Sequence, residues 1–277
     1  MTARLDGVRI GFVGGGAMGE ALAAGVIAAG APAAHVRAAD PDPARRKQLE
    51  QALGIEVGDD NASLVEASDL VVLAVKPGLV GPALAALGGP GAPALARPLW
   101  LSIAAGVPLA TLRAALPPGA RIVRAMPNTP ALVRAGATAF VAGEGCSARD
   151  RALARALFEG VGLAWEAPSE ALLDAVTGLS GSGPAYVFVF LEALSDAGVR
   201  MGLPRDAASA LAVQTVLGAA KLAQETGRHP AALKDQVTSP GGTTIAGLER
   251  LEACGFRAAV HEAVAAATRR SKELGGA

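Results

Sequence analysis

Apolar and polar positions along residues 1–167 follow two patterns, and each pattern predicts one kind of element. Short apolar runs are typical of buried strands, and the stretches between them carry apolar residues at helical spacing. Helices are expected at 17–29, Pro43–Leu53 and 80–87. Strands are expected at 8–13, Val36–Ala39, 70–75, 99–103 and Arg121–Met126, with edge strands at 137–141 and near Trp165. Strands that alternate with helices predict an α/β fold with a doubly wound parallel sheet.

The strand pattern ends near residue 168, and helical patterns rich in Ala, Leu and Val follow. These helices are expected at 169–200, 205–226, 231–237, 243–254 and 257–273. We therefore predict two domains, residues 1–167 with the sheet and residues 168–277 with helices alone. The apolar faces of these helices favour burial against a partner, so we also predict a homo-oligomer.

Composition excludes several classes of protein. The chain has 277 residues, of which 51% are hydrophobic and 18% are charged, and its net charge is +0. Such a chain can bury a core, which a disordered chain cannot. Zero net charge argues against broad nucleic-acid binding, which needs an excess of Lys and Arg. Cys146 and Cys254 match no metal-ligand spacing, so we expect no metal site and a reducing compartment.

One uncharged segment, residues 77–96, has a length that can span a bilayer. Four prolines and the Gly88-Gly89 pair interrupt it, and a membrane helix there would lose too many backbone hydrogen bonds. The chain begins MTARLDGVR, which lacks the apolar core of a signal peptide. We therefore expect a soluble, cytoplasmic protein with no membrane partner.

The first expected strand runs directly into a glycine-rich loop with the pattern GxGxxG at Gly14, Gly16 and Gly19. In a strand–turn–helix unit, the first glycine permits the turn and the second lets the backbone approach a diphosphate. The third permits close packing of helix on strand. The helix N-terminus then attracts the anion. We interpret the loop as a Rossmann-type dinucleotide site, and the alternative is a glycine-rich turn without a ligand.

The choice of dinucleotide stays open at this level. Asp40 follows the second expected strand, where a carboxylate usually accepts hydrogen bonds from the adenosine ribose and repels a 2′-phosphate. That position favours NADH. Arg45 and Arg46 follow within about one helical turn and can hold a 2′-phosphate, unless they lie on a solvated helix face. The cofactor is therefore NADPH or NADH.

Two further expected strands end in polar segments. Lys76 and Pro77 follow the strand at 70–75, and Asn128 and Thr129 follow Arg121–Met126. Open α/β sheets bind ligands at the carboxyl ends of their strands, so these residues are candidates for cofactor contacts. The alternatives are an exposed lysine and a turn capped by Asn128 and Thr129.

A second candidate anion site lies in the helical half. The segment SPGGTT, residues 239–244, stands directly before an amphipathic helix and combines two glycines with three hydroxyl side chains. Such a helix N-terminus suits a carboxylate-bearing substrate. The alternative is an ordinary threonine cap. The segment SGSGPAY at 180–186 is interpreted as close helix packing or a kink.

These motifs together resemble those of the pyrroline-5-carboxylate reductase family. The residues that carry the resemblance are GxGxMG at the first loop, AVKP at 74–77, MPNTP at 126–130, DAVTGLSGSGPAY at 174–186, MGLP at 201–204 and HPAALKDQVTSPGGTTIAGL at 229–248. The match covers essentially the whole chain in order. It implies a Rossmann domain, a helical domain that interlocks into homodimers that often assemble into decamers, and NAD(P)H-dependent reduction of 1-pyrroline-5-carboxylate to L-proline.

The resemblance also implies roles for individual residues. Backbone N–H groups of the loop at 241–244 hold the substrate carboxylate, and Thr244, the catalytic candidate, hydrogen-bonds the ring nitrogen. With the positions above, the expected substrate residues are Ser239, Gly241, Gly242, Thr243, Thr244, Gln236 and Glu170. The expected cofactor residues are Gly14, Gly15, Gly16, Ala17, Met18, Gly19, Asp40, Asn61, Ala74, Val75, Lys76, Pro77, Ala105 and Asn128. Asp40 departs from the serine common in relatives that use NADPH, and Gln236 departs from a common asparagine.

Two rival functions fit the glycine loop. A 3-hydroxyacid dehydrogenase would need a lysine and an asparagine where this chain has Val187 and Leu191, because oxidation of an alcohol needs a base. Reduction of an imine needs no such base, and the three histidines lie outside the candidate catalytic positions. A non-catalytic dinucleotide sensor is the second rival, and it would leave the segment at 239–244 without a role.

Overall fold

One eight-stranded sheet organises the first part of the chain. The computed structural model describes residues 5–276, so residues 1–4 and 277 of the two predicted domains lie outside it. The strands are β1 (Ile10–Val13), β2 (Val36–Ala39), β3 (Glu56–Gly58), β4 (Leu70–Leu73), β5 (Leu99–Ser102), β6 (Arg121–Met126), β7 (Gly136–Ala142) and β8 (Gly162–Glu166).

The strand order is β3-β2-β1-β4-β5-β6-β7-β8. Strands β1 to β6 are parallel, which confirms the doubly wound arrangement predicted from the sequence. The predicted edge strands are present as β7 and β8, but β7 runs antiparallel to β6, and β8 runs parallel to β7. Only residues 127–135 connect β6 to β7, and a crossover to a parallel strand needs about a dozen residues or more.

Helices cover both faces of the sheet. Alternate side chains of each strand point to opposite faces, so Leu70 and Val72 of β4 join one apolar core while Val71 and Leu73 join the other. The first core centres on Phe12 and the second on Trp100. The helices of this part are α1 (Ala17–Ala28), α2 (Pro43–Leu53), α3 (Asn61–Ala67), α4 (Val80–Ala86), α5 (Leu109–Ala115), α6 (Ala148–Glu159) and α7 (Leu172–Val176).

The later part of the chain is helical, as predicted. The single helix expected at 169–200 is in fact three pieces: α7, one π-helical turn at Thr177–Gly181, and α8. A Cβ at Gly181 would lie 2.6 Å from the Met126 methyl carbon, in agreement with close packing at the SGSGPAY segment. The remaining helices are α8 (Gly183–Arg200), α9 (Arg205–Thr226), α10 (Pro230–Gln236), α11 (Thr243–Ala253) and α12 (Phe256–Leu274).

Packing divides the chain at a different place from the boundary predicted after residue 167. The first compact unit, here called the sheet unit, holds residues up to Gly181 together with 266–277. The second, here called the helical unit, holds Ser182–Ala265. Leu173 of α7 belongs to the second sheet core, and the Ser271 hydroxyl donates to Asp174 Oδ1 at 2.6 Å. These contacts attach both segments to the sheet unit. The functional division into residues 1–167 and 168–277 stays a prediction.

Several short elements carry too weak an apolar pattern for a specific prediction, and β3 is one, since two of its three residues are exposed. Helix α6 does begin with a recognisable capping box, in which Ser147 and Asp150 bind each other's backbone N–H groups. Among residues 5–276, no helix combines the length and apolar character that a bilayer crossing requires.

Thr138 on β7 offers a test of the core. Its hydroxyl is buried and has no hydrogen-bond partner within the described part of the chain. A buried hydroxyl without a partner costs about 1–3 kcal/mol, so we expect Thr138→Val to raise the free energy of unfolding by about 1 kcal/mol. Thermal melting checks this. Thr177→Val is the control, because that hydroxyl donates to Leu173 O at 2.8 Å and its loss should lower the midpoint. An unchanged or lower midpoint for Thr138→Val contradicts the prediction.

Candidate functional site

The predicted cofactor segments meet at one edge of the sheet. The glycine loop follows β1, Asp40 follows β2, Asn61 begins the helix after β3, and residues 74–77, Ala105 and Asn128 follow β4, β5 and β6. All six strands are parallel, so these segments lie at their carboxyl ends. The strand order reverses between β1 and β4, which is where such sheets bind their ligands.

Two glycines of the loop are required by the protein's own packing. Gly14 has φ +98°, and a Cβ there would lie 2.8 Å from Val75 Cγ1 and 2.9 Å from the Ala74 carbonyl oxygen. A Cβ at Gly19 would lie 2.6 Å from the Gly14 carbonyl oxygen. Only glycine therefore permits the turn and the close approach of α1 to the end of β1.

Gly16 differs, because nothing within 4 Å would meet a Cβ there. It is the N-cap of α1 with φ −61°, a conformation open to other residues, and among residues 5–276 no side chain caps this helix. The N–H groups of Ala17, Met18 and Gly19 in the first helical turn lack intrahelical partners. A glycine with open space around it, followed by N–H groups without intrahelical partners, is suited to binding a dinucleotide diphosphate.

Asp40 lies beside this loop. Its Oδ2 accepts the Gly15 N–H at 2.8 Å and its Oδ1 accepts the Asp42 N–H at 3.0 Å. Arg45 and Arg46 are half-buried and hydrogen-bonded to the chain, so neither lies on a solvated helix face.

The strand before the segment at 74–77 ends two residues earlier than predicted. Strand β4 ends at Leu73, and the Ala74 N–H continues the ladder by donating to Val13 O at 2.9 Å. Lys76 and Pro77 are exposed, as is Ala105 after β5. These residues are accessible to a ligand at the carboxyl edge, and their cofactor contacts stay predictions.

The side chain of Asn128 makes structural hydrogen bonds within the protein. This agrees with the alternative in which Asn128 caps the turn after the strand. Its Nδ2 donates to Ser180 O at 3.0 Å, and its Oδ1 accepts the Ala137 N–H at 2.8 Å. The residue is buried. The amide thus fastens the turn after β6 to β7 and to the π-helical turn, so a cofactor contact through this side chain is disfavoured.

Glu170 is likewise engaged within the sheet unit. Its Oε1 accepts the Leu109 N–H at 2.8 Å, at the start of α5, and receives Arg124 Nη1 at 2.6 Å. Arg124 is a buried cation on β6, and this carboxylate balances its charge. A substrate contact by Glu170 would have to use Oε2.

The loop before α11 has the geometry of an open helix N-terminus. Gly241 has φ +66°, Gly242 donates to Ser239 O at 3.1 Å, and Gly242 is the N-cap. No side chain of the described residues caps α11, so the alternative of an ordinary threonine cap is wrong. By contrast, side chains cap four other helices, namely Asp42 on α2, Asp60 on α3, Ser147 on α6 and His229 on α10.

Gln236, at the end of α10, has one half of its amide occupied. Its Oε1 accepts Arg228 Nη1 at 2.8 Å. The contact directs the oxygen toward Arg228 and leaves the Nε2 donors for another acceptor. Its predicted substrate contact therefore has donor character.

Sequence reasoning missed Glu20 and Arg124. Glu20 of α1 pairs with Arg45 of α2 at 2.5 Å, and Arg124 pairs with Glu170 across the sheet edge. No local motif marks either pair, because the partners are distant in sequence. A basic residue inside the otherwise apolar run of β6 was the one available signal.

The fold and the glycine loop define the class of this protein as one with a Rossmann-type dinucleotide-binding sheet. The chain is 50% identical to the pyrroline-5-carboxylate reductase of Synechocystis sp., over 97% of this chain and 98% of that protein. It is 45% identical to the pyrroline-5-carboxylate reductase of Pseudomonas aeruginosa, over 96% of each. The chain therefore belongs to the pyrroline-5-carboxylate reductase family.

Family models and solved structures agree. A model described as "Pyrroline-5-carboxylate reductase dimerisation" matches residues 170–274, and one described as "NADP oxidoreductase coenzyme F420-dependent" matches residues 9–106. The pyrroline-5-carboxylate reductase structure from Coxiella burnetii has TM-score 0.91 at 37% identity, covering 96% of this chain and 98% of that one. The Plasmodium falciparum enzyme with NADP bound has TM-score 0.86 at 32% identity, covering 98% and 99%. These findings favour the reductase over the 3-hydroxyacid dehydrogenase alternative.

The glycine geometry predicts opposite consequences for two similar substitutions. Gly16→Ala meets no protein atom, so the thermal midpoint should stay close to that of the parent protein. The methyl group would instead occupy the space proposed for the diphosphate, and dinucleotide affinity should fall by about tenfold or more. Gly19→Ala should lower the midpoint, because its Cβ would lie 2.6 Å from the Gly14 carbonyl oxygen.

Melting curves and fluorescence titration with NADH and with NADPH measure both effects. Gly30→Ala is unsuitable as a control because of its positive φ, whereas Gly218→Ala lies in α9 with open space at its Cβ. Undiminished dinucleotide binding by Gly16→Ala would contradict the assignment.

Proposed function

We propose that this chain reduces 1-pyrroline-5-carboxylate to L-proline with NADH or NADPH, the last step of proline biosynthesis, in the cytoplasm. The observation that carries the proposal is that α1 and α11 each begin at a glycine N-cap with extended backbone and no capping side chain. One suits a dinucleotide diphosphate and the other a small carboxylate. Family membership supports the same reaction.

The loop before α11 is proposed to bind the substrate carboxylate. The N–H groups of Thr243 and Thr244 belong to the first helical turn and lack intrahelical partners. Attraction by the helix N-terminus adds up to ~2 kcal/mol where the site is partly buried. Gly241 and Gly242 add no side chain of their own before these N–H groups, and the Ser239 hydroxyl lies beside Gly242. Ser239 and Gln236 add a hydroxyl and amide donors for the same ligand.

Thr244 is proposed to hold the proton-bearing ring nitrogen. When bound, the dinucleotide supplies a hydride, which the imine carbon accepts while the nitrogen ends protonated. The Thr244 hydroxyl makes no hydrogen bond to any described residue, so it is available to the substrate. A hydroxyl orients and stabilises the nitrogen but is too weak an acid to protonate it at neutral pH. The substrate therefore reacts as the protonated iminium.

Two of the three histidines make local structural contacts. His229 Nδ1 accepts the Ala231 N–H at 3.2 Å as a helix cap, and His35 Nδ1 lies 3.0 Å from Asp6 O. Both are engaged by local backbone. Positioning of the reactants supplies several kcal/mol of the barrier reduction without a dedicated base.

We further propose a homodimer formed through the helical unit, able to assemble into a decamer. Few apolar side chains of this unit are buried within it, and many large ones are exposed, including Phe188, Val189, Leu211, Val213, Leu217 and Ile245. An exposed apolar surface of this extent is typical of a subunit interface. The dimerisation-family match at 170–274 supports the same conclusion. The proposed partners are thus a small-molecule substrate and further copies of the chain, without nucleic acid or membrane.

Thr244→Ala tests the substrate site. Loss of one hydrogen bond to the ring nitrogen should lower kcat/KM for 1-pyrroline-5-carboxylate by roughly 10–10³-fold, with the dinucleotide Kd little changed. Steady-state kinetics and dinucleotide titration measure the two quantities. Thr226→Ala is the control, since that hydroxyl bonds its own helix at Leu222 O and should leave kcat/KM near the parent value. Full activity of Thr244→Ala would refute its role.

Sedimentation tests the assembly. We expect a particle no smaller than a dimer across micromolar concentrations, because an isolated helical unit would expose its apolar side chains to water. Leu217→Asp should shift the distribution toward smaller particles. Leu79→Asp removes a comparably exposed side chain from the sheet unit and should not. A monodisperse monomer for the parent protein contradicts the proposal.

A further inference from the structure

The carboxylate of Asp40 is held in place before any ligand arrives. Both of its oxygens accept backbone N–H groups, from Gly15 at 2.8 Å and from Asp42 at 3.0 Å. The residue is half-buried at the end of β2, and Gly15 belongs to the glycine loop itself. In this fold a carboxylate at the end of the second strand hydrogen-bonds the ribose 2′-hydroxyl, and a 2′-phosphate would meet its charge instead.

The first candidate phosphate ligand, Arg45, donates to the protein through all three of its guanidinium nitrogens. Its Nε donates to Gly15 O at 2.5 Å, its Nη1 to Gln48 Oε1 at 2.7 Å and its Nη2 to Glu20 Oε2 at 2.5 Å. To bind a phosphate it would have to abandon a carboxylate and a backbone carbonyl. Its charge is already balanced by Glu20.

Arg45 and Asp40 together orient the glycine loop. Asp40 fixes the N–H of Gly15 and Arg45 fixes its carbonyl. A peptide unit is planar and trans, so the Gly16 N–H points away from Arg45 once the Gly15 carbonyl points toward it. Arg45 is thus a positioning residue for the diphosphate loop.

The other cations of α2 also face elsewhere. Arg46 Nη1 donates to the carbonyls of Asp40 and Pro41, both at 3.0 Å, and its Nη2 lies 3.7 Å from Asp59 Oδ2. Lys47 is exposed and lies two positions before the buried Leu49, whose side chain packs on Gly15. Two positions are about 200° apart around a helix, so Lys47 points away from the glycine loop.

We infer that this site prefers NADH over NADPH, with Asp40 as the selecting residue and the arginines of α2 withdrawn from phosphate binding. The inference rests on the dinucleotide site of the proposed function. A phosphate monoester carries about −1.5 to −2 charges at pH 7, and placing it beside a fixed carboxylate without a free cation is unfavourable.

Isothermal titration calorimetry of the full-length protein with NADH and with NADPH, in the absence of substrate, measures the preference directly. We expect the Kd for NADPH to exceed that for NADH by about tenfold or more at low salt, and the ratio to shrink as salt screens the repulsion. Equal affinity, or tighter binding of NADPH, overturns the inference but leaves the reductase function standing. Failure to bind either dinucleotide overturns both.

Substitutions of Asp40 and of Arg45 separate the selecting role of the first from the positioning role of the second. Asp40→Asn should lower the ratio of the two Kd values by about tenfold, because it removes the charge and keeps an acceptor oxygen. Glu56→Gln is the matched control, since it removes one exposed charge from β3, beside Arg37 at 3.0 Å, and should leave the ratio unchanged. A ratio unchanged in Asp40→Asn overturns the selecting role.

Arg45→Ala tests the positioning role. It should weaken NADH and NADPH by the same factor, because the variant loosens the loop common to both ligands. A selective loss of NADPH affinity in Arg45→Ala or in Arg46→Ala would show a phosphate contact and overturn the inference. Melting curves confirm that each variant is folded before its titration is interpreted.

Discussion

The close approach of backbone to backbone at the first loop is the constraint on which the dinucleotide site depends. A Cβ at Gly19 would clash with the Gly14 carbonyl oxygen, and a Cβ at Gly14 would clash with the Ala74 carbonyl oxygen. Because both positions are glycine, helix α1 can start close to the end of β1. Its unpaired N–H groups therefore open onto the edge where the parallel strands end. Asp40 accepts the Gly15 N–H and Arg45 donates to the Gly15 carbonyl, so the peptide units on both sides of Gly15 are held before a ligand binds.

The two proposed anion sites share one structural feature. Helices α1 and α11 begin at a glycine with extended backbone and no capping side chain, whereas Asp42, Asp60 and Ser147 cap other helices of the chain. A side-chain cap satisfies the first N–H groups, and leaving it out keeps them for a ligand. Hydroxyls and amides that carry no charge suit a substrate whose nitrogen reacts as a cation, since a fixed lysine nearby would oppose that charge.

The helical unit differs from the sheet unit in how its apolar side chains are covered. The sheet buries apolar side chains on both faces, in two cores around Phe12 and Trp100. The helices after Ser182 leave large apolar side chains such as Phe188 and Leu217 exposed. In the proposed homodimer, a second copy of the chain would cover them.

Local pattern alone determined much of this protein: the bounds of β2, β6 and α2, the doubly wound sheet, the packing roles of Gly14 and Gly19, and the loop before α11. Those features depend on residues close together in the chain. Tertiary structure decided the direction of β7, the attachment of residues 168–181 to the sheet unit, and the partners of Asn128, Glu170 and Arg45. Each of these depends on groups that are distant in sequence, and hydrophobic periodicity carries no information about which polar groups meet across such distances.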